Sequence, residues 1–225
     1  MKTKLLVLIC ALLLSFSGVG QNACSVYYPF KEGAKFEMTN YSKKGKKEGL
    51  VKYHVSKIDG DTATIETTVL DDKDKEITTT SYEITCVGNN ISIDFKSMIN
   101  PDMLKQYKDM DMDISGSNIE LPNNLDVGQK LKDANLVMAI NMGGMKMNMT
   151  IDMVNRTVDA KESITTPAGT YNCFALSYDS QMKMGIKTSF TIKEWIAEGV
   201  GVVKTETYNK KGKLQGYSEL TSFSN

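Results

Sequence analysis

The stretch Leu136-Val-Met-Ala-Ile-Asn-Met-Gly-Gly-Met-Lys-Met-Asn-Met-Thr-Ile-Asp-Met153 decides how the rest of the chain is read. After Gly143-Gly144 it alternates without a break. Met145, Met147, Met149, Ile151 and Met153 fall two apart, with Lys146, Asn148, Thr150 and Asp152 between them. A period of two puts alternate side chains on opposite faces of a β-strand, so this is a strand with one methionine-rich face. Thioethers are flexible and polarizable. Such a face can line a core, an adaptable apolar groove or a soft-metal site.

Working outward, the same alternation recurs from Lys35 to the C-terminus, broken by Gly, Asn, Asp and Lys clusters. It predicts about eleven strands, at 34–41, 49–58, 62–70, 76–86, 90–95, 136–142, 145–158, 170–178, 182–192, 201–208 and 214–222. Turn chemistry sits between them at Lys44-Gly45, Asp59-Gly60-Asp61, Gly88-Asn89-Asn90, Gly143-Gly144 and Lys211-Gly212. One segment departs from the pattern. Asn100-Pro101 followed by Met103, Leu104, Tyr107 and Met110 predicts a short helix over 100–110, and the residues after it read as a loop that returns to the sheet at Ile119 to Leu121. The Gly-x-Lys-apolar openings at Gly33-Ala-Lys-Phe36 and Gly128-Gln-Lys-Leu131 suggest two halves of similar hairpin topology. The fold class expected is mainly β: a curved antiparallel sheet or partly open β-barrel with one short inserted helix.

The N-terminus has the three-part layout of a secretory signal. Lys2 and Lys4 precede an apolar run from Leu5 to Leu14, and small residues at Gly18 and Gly20 place cleavage before Gln21. Residues 1–20 are therefore read as a signal peptide, and 21–225 as a single β-rich domain with halves at 21–120 and 121–225. No later apolar run is long enough to span a bilayer, so the mature chain is expected to be exported without a transmembrane segment, to the periplasm or the cell surface. Cys24, after Ala23, is a candidate lipidation site. Gln21 stands where such a site wants a branched aliphatic residue, which favours a soluble product. Removal of Cys10 with the signal leaves Cys24, Cys86 and Cys173; a Cys24 to Cys86 bridge is one option, and spacing does not assign it.

The charges exclude one class of partner. Lysine and arginine together equal aspartate and glutamate, 27 against 27. With no basic patch, nucleic acid is not expected, because binding it rests on neutralising phosphates. Catalytic constellations are also missing. His54 is the only histidine, lies on a predicted strand and has no Gly-x-Ser-x-Gly elbow to serve. Asp109, Asp111 and Asp113 lack the glycine and glutamate of a calcium loop. Gly199 and Gly201 lack the third glycine and the helix of a nucleotide site and read as a turn that starts a core strand. The expectation is a protein without enzymatic activity and without a cofactor.

The methionines remain. Met142, Met145, Met147, Met149 and Met153 lie on the decisive hairpin, and Met182 and Met184 repeat the spacing on a later strand. These seven are the candidate ligand-binding residues, for an apolar small molecule or lipid. The alternatives are a structural or assembly protein of the envelope with a filled core and, third, Cu(I) bound by the stripe. Protein partners are not indicated.

Cys24-Ser-Val-Tyr-Tyr-Pro-Phe-Lys-Glu-Gly-Ala-Lys-Phe-Glu-Met38, Leu121-Pro-Asn-Asn-Leu-Asp-Val-Gly-Gln-Lys-Leu131, Thr166-Pro-Ala-Gly-Thr-Tyr-Asn-Cys173 and Trp195-Ile-Ala-Glu-Gly-Val-Gly-Val-Val-Lys204 together resemble the TapB-like, domain-of-unknown-function exported proteins of Gram-negative bacteria. The resemblance implies a compact exported β-rich domain without an established activity and carries over no catalytic residue. More distantly, the strand number and inserted helix are similar to lipoprotein-carrier half-barrels of the LolA and LppX kind. That similarity is architectural, and fold alone does not fix function.

Overall fold

The computed structural model describes residues 24–95, 111–142 and 145–225. The expected signal peptide at 1–20 and the expected helix at 100–110 fall outside these residues. Thirteen strands form one sheet: β1 (Lys35–Ser42), β2 (Lys47–Asp59), β3 (Thr62–Leu70), β4 (Glu76–Val87), β5 (Asn90–Ile93), β6 (Asp111–Gly116), β7 (Ile119–Pro122), β8 (Ala134–Met142), β9 (Met145–Thr166), β10 (Gly169–Met184), β11 (Ile186–Ala197), β12 (Gly201–Asn209) and β13 (Leu214–Ser224). Their order is β6-β8-β9-β10-β11-β12-β13-β1-β2-β3-β4-β5-β7. Every pairing is antiparallel. The curved antiparallel sheet expected from the alternation is what forms. It is not closed into a barrel by hydrogen bonds.

The connectivity dictates the curvature. The two edge strands, β6 and β7, are consecutive in the chain and separated only by Ser117 and Asn118. Three Cα steps of about 3.8 Å keep Gly116 and Ile119 within about 11 Å, so the sheet must roll until its edges nearly meet. The link is tied to both sides: Ser117 N–H donates to the Asn135 carbonyl at the start of β8 (2.9 Å), and Asn118 Nδ2 donates to Ser92 Oγ on β5 (2.9 Å). At the switch point Gly116 has φ +150°, and a Cβ there would stand 2.2 Å from the Asn135 carbonyl oxygen.

Three differences from the sequence reading have physical causes. Residues 111–116 form a strand where a loop was expected, because β8 offers an open edge and pairing satisfies backbone groups that polar residues such as Asp111 and Asp113 would otherwise leave to water. The expected strand 182–192 contains a hairpin turn at Gly185 (φ +73°). Met182, Met184 and Ile186 keep the same parity across that glycine, which hides the turn. Finally, β9 runs on to Thr166, well beyond 158, and pairs along β10 to the turn before Gly169.

Apolar burial joins strands far apart in the sheet order. One cluster combines Val55, Ala63, Ile65, Tyr82, Ile84, Ile91 and Ile93 from β2 to β5 with Val158, Phe174, Leu176 and Ile196 from β9 to β11. That contact is the rolled sheet packing on itself. A second cluster gathers Trp195, Cys173, Ala175, Val203 and Leu220, where the tip of the β9–β10 hairpin folds back and Ala168 N–H donates to the Leu220 carbonyl (3.2 Å). A third, Leu136, Met138, Ile140 and Met149, sits in the β6–β8–β9 wing with Ile114, Met147 and Ile151 against it. The segment before β1 seals one end of the roll: a disulfide joins Cys24 to Cys86, Val26 N–H donates to Asn123 Oδ1 (3.0 Å), and Gly199 N–H donates to the Val26 carbonyl (2.8 Å). Among the described residues no helix is long and apolar enough to cross a membrane.

Candidate functional site

The roll leaves a half-open cavity of about 460 Å³. Its wall draws on nearly every strand from β1 to β5, on β7, and on β9 to β13, with Phe36, Met38, Val51, Ile93, Ile119, Leu121, Ile151, Met153, Leu176 and Val202 supplying the apolar surface. A volume of that order falls in the roughly 300–1,000 Å³ range of small-molecule sites, which are typically apolar with a few placed polar groups.

The polar groups come from the register of the sheet. Leu176 of β10 stands opposite Glu194 of β11, Glu194 opposite Thr205 of β12, Thr205 opposite Ser218 of β13, and Ser218 opposite Asn40 of β1. Directly opposed residues share a face. All five line the cavity, and the last four, Glu194, Thr205, Ser218 and Asn40, form a row of polar side chains across the wall. Tyr178, diagonal to Glu194, donates its hydroxyl to Glu194 Oε1 (2.7 Å). A second row, Thr80, Thr67, Tyr53 and Phe36, crosses β4, β3, β2 and β1, and the Tyr53 ring stacks on Phe36 at 4.5 Å. Thr67 is 8% exposed, and its Oγ1 has no hydrogen-bond partner among the described residues.

Arg156 enters the same space because β9 carries a bulge. Between the pairs Val154 with Asp179 and Thr157 with Ser177 the strand holds one extra residue, and Asn155 there adopts φ +60°. An extra residue reverses the phase of a strand. Before the bulge the odd positions Ile151 and Met153 face the cavity; after it Arg156 does. Arg156 is 5% exposed, and its Nη1 donates to the carbonyls of Glu120 on β7 (3.0 Å) and Lys132 (2.5 Å). One guanidinium thus ties the β7 edge of the sheet to the opposite wing.

Low polarity perturbs every titratable group here. Burial pushes Glu194 above the usual carboxylate range, against the Tyr178 hydrogen bond and the nearby Arg156 charge. Burial lowers Arg156 below its ordinary value. Tyr53 is pushed up to about 12, and Tyr28, Tyr82 and Tyr178 rise too, all chiefly by desolvation. At neutral pH the four phenols are therefore uncharged. Tyr28 is seated by contact with Gly201 (φ +90°), where a Cβ would come 3.3 Å from its ring.

The seven methionines named from sequence divide. Met153 lines the cavity. Met149 is buried, and Met147 packs beside it, in the separate β6–β8–β9 cluster. Met182 is 44% exposed. By register Met142 stands opposite Met145, Met138 opposite Met149, and Met149 opposite Met184, so the two methionine strands are neighbours. Met38 joins the wall without having been singled out. Glu194, Thr205, Ser218, Asn40, Thr67 and the tyrosines were not legible, since they are scattered over the chain and meet only through register. Arg156 did carry a signal: it is the only arginine in the sequence. A chain that uses lysine for its other basic side chains and keeps one guanidinium has a place for a planar, weakly hydrated cation.

Elsewhere the chemistry is quieter. His54 meets Glu66 at 3.4 Å on the surface. Cys173 is buried, its thiol pushed up to about 11 by desolvation. Among the described residues, no group of three or more histidine, cysteine or acidic side chains is placed to hold a metal ion.

Residues 31–220 match the family described as DUF3108-like. A candidate exported protein from Bacteroides fragilis with a YmcC-like fold superposes with a TM-score of 0.71 at 21% identity, covering 90% of this chain and 100% of that one. A candidate lipoprotein from Parabacteroides distasonis gives 0.71 and 21%, covering 89% and 99%. At that identity the likeness is one of fold. No curated protein matches the chain. The resemblance drawn from the strand-opening motifs, to β-rich proteins of a domain of unknown function, is borne out at the level of family.

Proposed function

The chain belongs to the DUF3108-like family, and on its fold we propose a non-enzymatic binding protein of the cell envelope, exported to the periplasm or cell surface, that holds an apolar or amphipathic small molecule inside the rolled sheet. The observation that carries this reading is the cavity of about 460 Å³, walled by apolar side chains and crossed by a polar row. A protein with a purely structural role gains most from a filled interior, since close packing stabilises and voids cost. An internal space with convergent polar groups is the usual form of a ligand site.

Export is supported by the signal-like N-terminus and by the fold shared with proteins described as exported or as lipoproteins. The Cys24–Cys86 disulfide suits an oxidising compartment. Because that bond occupies the Cys24 sulfur, the proposal does not include a lipid thioether there.

Titration with N-phenyl-1-naphthylamine, whose fluorescence rises in apolar surroundings, tests the proposal. The folded protein should bind it saturably. Thr205→Phe or Ser218→Phe, each placing a ring into the cavity, should abolish binding while circular dichroism stays that of the parent. Absence of saturable binding by the parent protein would contradict the proposal and favour the structural role.

A further inference from the structure

The cavity is balanced in charge. Among the described residues that line it, Arg156 is the only cation and Glu194 the only carboxylate, and four tyrosines remain protonated at neutral pH. The guanidinium already spends Nη1 on two backbone carbonyls, and Glu194 already accepts from Tyr178. Arg156 and Glu194 each lie in the other's field, so a ligand carboxylate or ammonium added to the ionised pair would leave one net charge in a low-polarity space. Burying an unpaired charge costs far more than burying a hydroxyl that finds a partner.

One polar atom is left over. Thr67 Oγ1 is buried at the cavity wall, between Tyr53 and Thr80 in register, and has no partner among the described residues. An unsatisfied buried hydroxyl destabilises a fold, and in native proteins such groups are few. A guest that supplies the missing hydrogen bond removes that cost. Resting on the reading of the cavity as a ligand site, we propose that the guest is an amphiphile with an apolar body and an uncharged hydrogen-bonding head, such as an alcohol or amide, and that Thr67 hydrogen-bonds that head.

Displacement of bound N-phenyl-1-naphthylamine at neutral pH by dodecan-1-ol, dodecanoate and dodecylammonium tests the head-group class, since the three share a chain length. Dodecan-1-ol should displace the probe at a concentration at least about tenfold below either ion, the least that one uncompensated charge implies. Thr67→Val, which keeps the shape and removes the hydroxyl, should weaken dodecan-1-ol about five- to tenfold, the value of one hydrogen bond, once displacement is corrected for the probe's affinity measured on each variant. Thr67→Ser should restore it. Glu194→Gln leaves Arg156 unbalanced and should shift preference toward dodecanoate. Equal or tighter binding of either ion by the parent protein, or a Thr67→Val protein that binds dodecan-1-ol as the parent does, overturns the inference while leaving the cavity a binding site. Failure of the probe itself to bind overturns both.

Discussion

Glu194 and Arg156 are the two residues on which the site's electrostatics turn. Tyr178 from β10, Arg156 from β9, Tyr53 from β2 and Tyr28 from the N-terminal segment are the titratable groups around Glu194. Its carboxyl is raised in the folded state, chiefly by burial. Below the usual carboxylate range it is neutral whether the chain is folded or not, and it costs nothing. As pH climbs, the unfolded chain releases the proton first, so stability is lost through the window from the usual value to the raised one. Relative to Glu194→Gln, the parent should lose stability as pH rises from the usual carboxylate value through the raised one of the folded state, read as diverging urea midpoints. Parallel midpoints would show that Glu194 titrates normally. Arg156→Lys keeps the charge and loses the fork that reaches two carbonyls. It should cost about 1.5–3 kcal/mol in urea unfolding, the range for hydrogen bonds to charged groups. Both residues were invisible as a pair in the sequence, because they stand 38 positions apart and converge only once a bulge at Asn155 reverses the phase of β9. Periodicity reads the faces of regular strands, and it has no term for an extra residue.

Among the elements, the segment from β6 to β7 has the largest effect on shape. It pairs its first half with β8 and its second with β5, and so converts a flat thirteen-stranded sheet into a roll. Gly116 makes the switch, at a positive φ and with no room for a Cβ. Gly116→Ala should therefore destabilise the protein by at least about 2 kcal/mol and loosen the cavity, measured by denaturant unfolding together with probe affinity. Unchanged stability would mean that the edges are not held together there. The hairpins on either side of this segment were readable, since alternation and Gly-Asn-Asp-Lys turns are local signals. The strand at 111–116 was not: its polar composition matches a loop, and only the open edge of β8 makes it a strand. Gly185 was missed for a related reason, as the apolar parity of Met182, Met184 and Ile186 passes straight through the turn.

At the scale of the molecule, the methionine hairpin identified the class of fold and led to one wing of the site. The cavity lies where the strands other than β6 and β8 converge, and Met153 is the member of the stripe placed on its wall. Methionines at 147 and 149 instead fill the β6–β8–β9 cluster, a use that suits a flexible side chain next to an irregular sheet edge. The roll is sealed at its other end by the Cys24–Cys86 bridge, which closes a loop of 62 residues. Replacing both cysteines by alanine should lower stability by about 2–4 kcal/mol without changing the far-ultraviolet spectrum, checked by thermal and urea unfolding. The central claim is that the cavity exists to be occupied. Native mass spectrometry of the protein purified under mild conditions from cells that produce it tests this most directly. The account predicts one equivalent of an uncharged amphiphile that leaves on denaturation, or one equivalent of dodecan-1-ol taken up when the bare protein is offered it; a bare chain that takes up none would contradict it.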